Sequence, residues 1–403
     1  MPKIKKISFY QIYNGCGQPA LGAKLWLDDN LKIFGSRSLN HSPINVSELI
    51  HSLNERVVSW LVDLDLELDA PVAFDDWLKG QSEKFPAGVS LLLSEVVNRA
   101  VAKINNLELY EQLNKAYGLK EAMYNLPTPI FNMFNGGSHA DTNLDFEEFL
   151  LVPLSKNQKS FSQKTAEAGL VYHELGKELK NAGFDTDVGI FGGYAPDMAS
   201  SIQAIELMMS ACENVDLLWG KDFGLGMDIG AKHLSSGRGS YLFKLDHSKI
   251  MGTNLLQVYE DWRRDYHLVY LEDPLAPADT ANWRALTQEM GDKITLAGDE
   301  FFGGSEAKFR QNLKDLSANT AVAKLSQMAT LSEAIGFIKI AQEHNYQIVL
   351  AGDDEETEDN LLADLAVATG AEFIKTGSLA RAERIGKLNR LLEIEEDLAQ
   401  SGL

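Results

Sequence analysis

Apolar runs that stop abruptly at a charged side chain recur through the second half of the chain. Gly224-Leu225-Gly226-Met227 ends in Asp228, and Leu268 to Leu271 ends in Glu272-Asp273-Pro274. Ile294 to Gly298 ends in Asp299-Glu300, Ala321-Val322-Ala323 ends in Lys324, and Phe373-Ile374 ends in Lys375. Between the last two, Ile348-Val349-Leu350 runs into Ala351-Gly352-Asp353-Asp354. Glu272 and Asp299 are 27 residues apart, Asp299 and Lys324 25, Lys324 and Leu350 26, and Leu350 and Lys375 25. That period holds one short strand, one helix and the return, so the pattern predicts consecutive βαβ units. Parallel strands covered on both faces read as unbroken apolar runs, as these do. In a barrel built from such units, functional groups sit at the carboxyl ends of the strands. Three acids, Asp228, Glu272 and Asp299, and two lysines, Lys324 and Lys375, would converge there.

The first 120 residues or so do not follow this period. Ile7 to Ile12 and Ala23 to Phe34 alternate like strands of an antiparallel hairpin or meander, with a turn at Asn14-Gly15-Cys16-Gly17-Gln18-Pro19 between them. Val46 to Val62, capped by Asn45, and Gly88 to Asn105 have helical spacing. The expected organisation is an N-terminal α+β cap domain, residues 1–124, and a β/α barrel, residues 125–403. The barrel is expected to open with two strands, Ile130 to Phe134 and Phe146 to Pro153, then two helices, Ser162 to Ala182 and Met198 to Ser210. Regular βα units follow. The fold class is therefore α/β, a ββαα(βα)6 barrel with a cap, and 403 residues suit that pairing.

A net charge of −21, from 58 acids against 37 bases, argues against nucleic acid or an anionic membrane as the main partner. No stretch approaches the ~18 apolar residues of a membrane helix, and no signal peptide is expected, which makes the cytosol the expected compartment. Cys16 and Cys212 form neither a disulfide framework nor a zinc spacing and read as ordinary thiols.

The words in this chain resemble the enolase family over nearly its whole length. They are Leu126-Pro127-Thr128-Pro129-Ile130-Phe131-Asn132, Asn135-Gly136-Gly137-Ser138-His139-Ala140-Asp141, Glu147-Glu148-Phe149, Leu271-Glu272-Asp273-Pro274-Leu275 and Gly298-Asp299-Glu300. Gln327 to Ala334, Glu356 to Ala371 and Ile374 to Arg384 extend the likeness to the end. The resemblance implies a cap on an eight-stranded barrel, one catalytic divalent cation and a homodimer. It puts Asp228, Glu272 and Asp299 on the family's Mg²⁺ ligands, Lys324 on the general base and Lys375 on the lysine that contacts substrate carboxylate and metal. His139 and Glu148 fall on further active-site positions. The chemistry agrees: three carboxylates suit a hard cation, and removal of a proton α to a carboxylate creates a dianion that needs concentrated positive charge. A lysine near other cations has its pKa pushed down and can serve as the base. Taken singly, each acid would be a helix cap or loop charge, and His139 or Lys375 an ordinary surface residue; the spacing and the words together reverse that.

The departures from the family are selective. Its phosphate-binding word, Ser-His-Arg-Ser-Gly-Glu, is here Ala351-Gly352-Asp353-Asp354-Glu355-Glu356. Arginine grips phosphate through a bidentate fork, and a carboxylate in its place repels it. The word that holds the general acid, Gly-Asp-Glu-Gly-Gly, is here Gly189-Ile190-Phe191-Gly192-Gly193. Phe191 has no proton to give. The serine loop that closes over substrate and helps hold a second metal is not recognisable between Phe34 and Asn45, so one Mg²⁺ site is expected. These features predict a lysine-based, Mg²⁺-dependent enzyme acting on a small carboxylate but poor on 2-phosphoglycerate. The acidic run favours a substrate that is unphosphorylated or carries a positive group, unless its acids serve the helix that follows. A non-catalytic homologue and a true enolase with rearranged loops are the alternative readings.

Overall fold

Three antiparallel strands open the chain in the order β1 (Ile4–Tyr13), β2 (Pro19–Leu27) and β3 (Lys32–Arg37). They belong to a computed structural model that describes residues 4–27, 31–39, 45–63, 70–119, 124–154, 159–245, 247–313 and 317–401. The turn between β1 and β2 is held by Asn14, whose side-chain oxygen accepts the N–H groups of Cys16 (3.0 Å) and Gln18 (2.9 Å). The single strand expected over Ala23 to Phe34 is two strands, and positions 28–30 between them lie outside the described residues. Leu21, Ala23, Leu25 and Leu27 alternate inward along β2, the period-2 pattern of a sheet with one covered face.

Helices α1 (Val46–Asp63), α2 (Pro71–Lys79) and α3 (Ala87–Asn105) share that sheet's core, and α4 (Leu109–Ala116) follows them and packs into the barrel core instead. Asn45 caps α1 by accepting from Ser47 N at 3.1 Å and Glu48 N at 3.3 Å. The Asn54 amide docks α1 on β1 by pairing with both the N–H and the C=O of Phe9, each at 2.9 Å. Leu92, Val96 and Val97 of α3 pack with Ile7, Phe9 and Leu25 in one core. Leu91 and Ala102 of the same helix, with Leu109 and Leu113 of α4, join the larger barrel core.

The barrel is closed by β4 (Thr128–Asn135), β5 (Glu148–Pro153), β6 (Phe223–Asp228), β10 (Leu268–Glu272), β11 (Thr295–Gly298), β12 (Thr320–Lys324), β13 (Gln347–Ala351) and β14 (Phe373–Gly377). Helices α5 (Phe161–Asn181) and α6 (Ser201–Glu213) follow the first two strands. After β6 come a short helix, α7 (Ala231–Leu234), and a small sheet of β7 (Ser235–Gly237), β8 (Ser240–Phe243) and β9 (Ser248–Met251). Then α8 (Gly252–Tyr266), α9 (Thr280–Met290), α10 (Glu306–Asn312), α11 (Leu331–Glu343), α12 (Leu361–Thr369) and α13 (Ala382–Ser401) alternate with the remaining strands. The order is the expected ββαα(βα)6. Strand β5 runs antiparallel to both β4 and β6, and the other neighbours are parallel. Ile130, Leu150, Tyr270, Val322 and Val349 fill the interior, so the barrel is a packed core.

Cap and barrel are joined by buried ions. Arg37 and Arg99 each approach Glu95 at 3.0 Å, and Arg99 also holds Asp359, which stands before α12, at 3.0 Å. Burial and the like charge of Asp359 push the Glu95 carboxyl up to about 8, against the pull of both arginines. For Asp359 burial acts upward, but Arg99 leads the groups that outweigh it and hold the carboxyl low. The folded chain thus keeps a proton on Glu95 well above the ordinary glutamate value of 4.5. Between those two pH values the folded state binds more protons than the unfolded one, so stability falls as pH rises. Urea denaturation at pH 5, 6.5 and 8 is expected to show that decline in the native chain and to show it flattened in Glu95→Gln, by about 2–4 kcal/mol across the window. Parallel stability curves for the two proteins would remove Glu95 as the cause.

Candidate active site

Strand register builds the site. Glu148 on β5 lies opposite Asp228 on β6, and Asp228 opposite Glu272 on β10, so three carboxylates form one row at the barrel mouth. Glu148 begins its strand, yet it joins residues that end theirs because β5 runs the other way. Lys375 reaches this row from β14. Its Nζ lies 2.8 Å from Asp228 Oδ2, 2.7 Å from Glu272 Oε2 and 3.7 Å from Glu148 Oε2. Lys324, at the end of β12, pairs with Asp299 Oδ2 at 2.6 Å. The five strand-end charges expected to meet therefore do meet, in two groups.

Neighbours that the sequence did not single out orient this row. The Tyr270 hydroxyl donates to Glu272, and Gln327 donates to Asp299 at 3.1 Å. Asp273 has φ 41°, a left-handed conformation that aspartate tolerates better than most residues. Its carboxylate accepts the N–H groups of Asp299 (3.1 Å) and Glu300 (2.8 Å), which pins the turn after β11. The Glu-Asp pair at 272–273 was the available signal: one acid faces the mouth and the next holds the adjacent loop.

The electrostatics differ from expectation at the lysines. Burial alone would lower the pKa values of Lys324 and Lys375, but Asp299 outweighs it at the first, and Asp228, Glu148 and Glu272 at the second. Both ammonium groups are raised well above the ordinary lysine value rather than pushed down. Burial, reinforced by Asp228, lifts Glu272 to about 8, whereas Lys375 overcomes burial at Asp228 and holds it low.

Among the described residues, no group of three or more His, Cys, Asp or Glu side chains is gathered at metal-holding geometry. The lysine ammonium groups lie between the acids instead. The donor chemistry nonetheless fits a hard divalent cation. Glu148, Asp228, Glu272 and Asp299 face two lysines, and the buried Glu272 Oε1 has no hydrogen-bond partner. Asp228, Glu272 and Asp299 are the side chains that could hold one.

His139 stands beside this row, with Nδ1 3.5 Å from Glu148 Oε1 and Nε2 3.7 Å from Glu147 Oε2. Burial would lower its pKa, but the two glutamates outweigh that and raise it. Phe191 packs against the His139 ring at 4.6 Å between centroids, so an apolar ring occupies the place expected to hold an acid. The guanidinium of Arg384 lies 4.4 Å from the centroid of the Phe191 ring.

Arg384 also alters the reading of the acidic loop. It arrives from α13 and donates to the carbonyls of Asp353 (2.6 Å), Asp354 (2.9 Å) and Ile190 (3.2 Å). Lys387, one turn on, pairs with Glu356 at 2.9 Å. Asp353 accepts from the Ser326 N–H at 3.2 Å, and Glu355 accepts from Ser38 at 2.9 Å. Asp359 accepts from Leu361 N at 2.8 Å and so serves the start of α12. The cations that tertiary structure supplies here are engaged by the protein itself and do not rebuild a phosphate grip. Three of the loop's acids are likewise paired internally, which weakens the case that they await a cationic substrate. Cys16 is exposed, Cys212 is buried, and both are free thiols.

Residues 123–403 match the family model described as enolase, C-terminal TIM barrel domain. The chain belongs to the enolase family. It is similar to the enolase of Elusimicrobium minutum (strain Pei191), 37% identical over 338 residues, which cover 84% of this chain and 78% of that protein. It is also similar to the enolases of Ehrlichia ruminantium strains Welgevonden and Gardel, each 31% identical over 425 residues that span 100% of this chain and 98% of theirs. No helix among the described residues is long and apolar enough to cross a membrane.

Proposed function

We propose that this enolase-family chain is a Mg²⁺-dependent enzyme that removes the α-proton of a small carboxylate substrate and turns over 2-phosphoglycerate poorly. The observation that carries this is the contrast within one mouth: two lysines, Lys375 buried and Lys324 half-buried, sit among carboxylates, while Phe191 fills the acid position and the 353–356 loop offers no phosphate grip. A lysine base with magnesium is the recognised pattern for enolase-type sites. Asp228, Glu272 and Asp299 would hold the cation, which when bound supplies positive charge to the substrate carboxylate and to the enolate.

Lys324 is the base. It gives up its proton to solvent before the reaction and takes the α-proton from substrate, for which release from Asp299 is required. Lys375, held by Asp228 and Glu272, stays protonated and donates hydrogen bonds to the developing enolate oxygen. Phe191 keeps water from the His139 side and cannot protonate a departing hydroxide, so loss of hydroxide from the β-carbon is unassisted at that position. A cytosolic homodimer is part of the same reading.

The relatives' name favours a second reading, an enolase proper with its loops rearranged. The test is to incubate the purified chain with Mg²⁺ in D₂O with a panel of small carboxylates, following α-proton exchange by NMR, and to follow 2-phosphoglycerate dehydration in parallel samples. Exchange on some carboxylate with slow or absent dehydration is expected. Dehydration at the rate of an ordinary enolase would establish the second reading. Neither reaction, with no calorimetric Mg²⁺ binding at millimolar concentration, would leave a non-catalytic homologue.

A further inference from the structure

His139 stands across the barrel mouth from the base. Lys324 ends β12, and Glu148, beside which His139 lies, begins β5. In the closed sheet β5 is four strands from β12 in either direction, so the two strands are diametrically opposed. A substrate whose carboxylate meets Lys375 between them turns one face of its α-carbon to Lys324 and the other to His139. His139 is 8% exposed, and its Nδ1 and both Glu148 oxygens have no hydrogen-bond partner. That nitrogen is directed at the carboxylate row, 3.5 Å from Glu148 Oε1.

Buried against Phe191, the His139 ring has a route to solvent on its other side. Its Nε2 lies 3.7 Å from Glu147 Oε2, and Glu147 Oε1 lies 3.6 Å from His233 Nε2. The His233 side chain is 55% exposed. Glu147 and His233 line a cleft of about 760 Å³, which shares this wall with the catalytic row. Two features hold Glu147 between the imidazoles. Ser138 donates to its Oε1 at 2.8 Å. Gly230, with φ 55°, leaves the space free, since a side chain there would run into the Glu147 carboxylate. An imidazole takes a proton on one nitrogen and releases one from the other, and a carboxylate between two imidazoles passes it along. Burial, reinforced by Asp228, raises the Glu147 pKa, which suits a carboxylate that briefly holds a proton.

We propose that His139 delivers a proton to the α-carbon on the face opposite Lys324, and that Glu147 and His233 recharge it from the cleft, so that the reaction inverts configuration. The inference rests on the α-proton chemistry proposed above. The Lys324 amine takes the α-proton, and the electron pair of that C–H bond moves into the carboxylate to form the enolate. The pair then returns to form a new C–H bond with the proton of His139 Nδ1. Lys324 ends protonated and His139 neutral. Lys324 releases its proton to solvent, and His139 regains one from His233 through Glu147. No hydroxide leaves, in keeping with Phe191 at the acid position.

The test follows α-proton exchange in D₂O and optical configuration together, on separate enantiomers of the panel's chiral acids, lactate, glycerate and malate among them. The native chain, His139→Gln and His233→Gln are compared, with thermal unfolding to confirm that each variant folds. Native exchange accompanied by inversion is expected. In His139→Gln the ratio of inversion to exchange is expected to fall by about 10²-fold or more, the contribution of a positioned proton donor. In the exposed His233→Gln inversion is expected to fall about 10-fold and to recover when free imidazole is added, because the buried donor is intact and only its recharging is slowed. A purely structural role for His233 would give no such recovery. Native exchange with full retention, inversion at the native ratio in His139→Gln, or native inversion in His233→Gln overturns the relay while leaving the α-proton chemistry standing. No exchange on any acid overturns that chemistry and the relay with it.

Discussion

Replacement of Lys375 by methionine is expected to destabilise the fold by about 3–5 kcal/mol at pH 7, the effect of leaving buried charges without their partner. Lys375 is 4% exposed and touches Asp228, Glu272 and Glu148, which are 5%, 0% and 1% exposed. Methionine fills much of the lysine volume, so the loss is electrostatic rather than a cavity. The sign of the pH dependence follows from which groups must then take up protons. In the native chain the raised Lys375 contributes fully below the ordinary lysine value of 10.5 and loses its contribution only as pH rises through its higher folded value. In the variant the orphaned carboxylates are the groups whose folded pKa values rise. The folded variant then binds more protons than its unfolded chain, and its deficit shrinks as pH is lowered towards 5. Guanidinium denaturation of both proteins from pH 5 to 8 measures this. A deficit below about 1 kcal/mol, or one that does not change with pH, would show that the carboxylate row does not depend on Lys375.

Lys324→Arg is expected to slow α-proton exchange by about 10²–10⁴-fold, the range for removal of a general base, while changing stability little. Arginine can keep the ion pair with Asp299, now at 2.6 Å, but is always protonated and cannot accept the α-proton. Gln327 continues to donate to Asp299 at 3.1 Å, which limits any effect on the fold. The measurement is the rate of deuterium incorporation into whichever carboxylate the native chain exchanges, over a range of pH. Native rates should rise as pH increases and Lys324 releases its proton, and the arginine variant should show no such rise. Exchange that survives in the variant with its pH profile intact would exclude Lys324 as the base. This comparison separates a chemical role from a structural one, because the conservative charge is retained.

Much of this architecture was readable before any coordinates. Parallel strands buried on both faces must be apolar from end to end, so each strand stops visibly where the chain meets the mouth. That is why Asp228, Glu272, Asp299, Lys324 and Lys375 could be picked out as strand-end charges, and the family words then gave them their expected roles. Glu148 was legible only through family resemblance, since it begins a strand rather than ends one. The antiparallel course of β5 brings it to the same rim, and orientation of one strand in a closed sheet is a long-range property. Tyr270 and Asp273 were given no role because an unbroken apolar run shows where a strand ends, not which partner each side chain meets.

The acidic loop marks the other limit. Read linearly, Asp353 to Glu356 is a run of uncompensated carboxylates. In the fold, Arg384 reaches the loop's carbonyls and Lys387 pairs with Glu356 from α13, about thirty residues away, and the run becomes an internally hydrogen-bonded loop. The expectation of lysines with lowered pKa values failed for the same reason, since burial and neighbouring charge oppose each other and only distances decide between them. Local chemistry in the chain was enough to specify the strands, the helices and the identity of the charged rim. Which charges pair, which stay buried without a partner and which compartments share a wall were decided by tertiary contacts, because electrostatic energies depend on separations that sequence spacing does not encode.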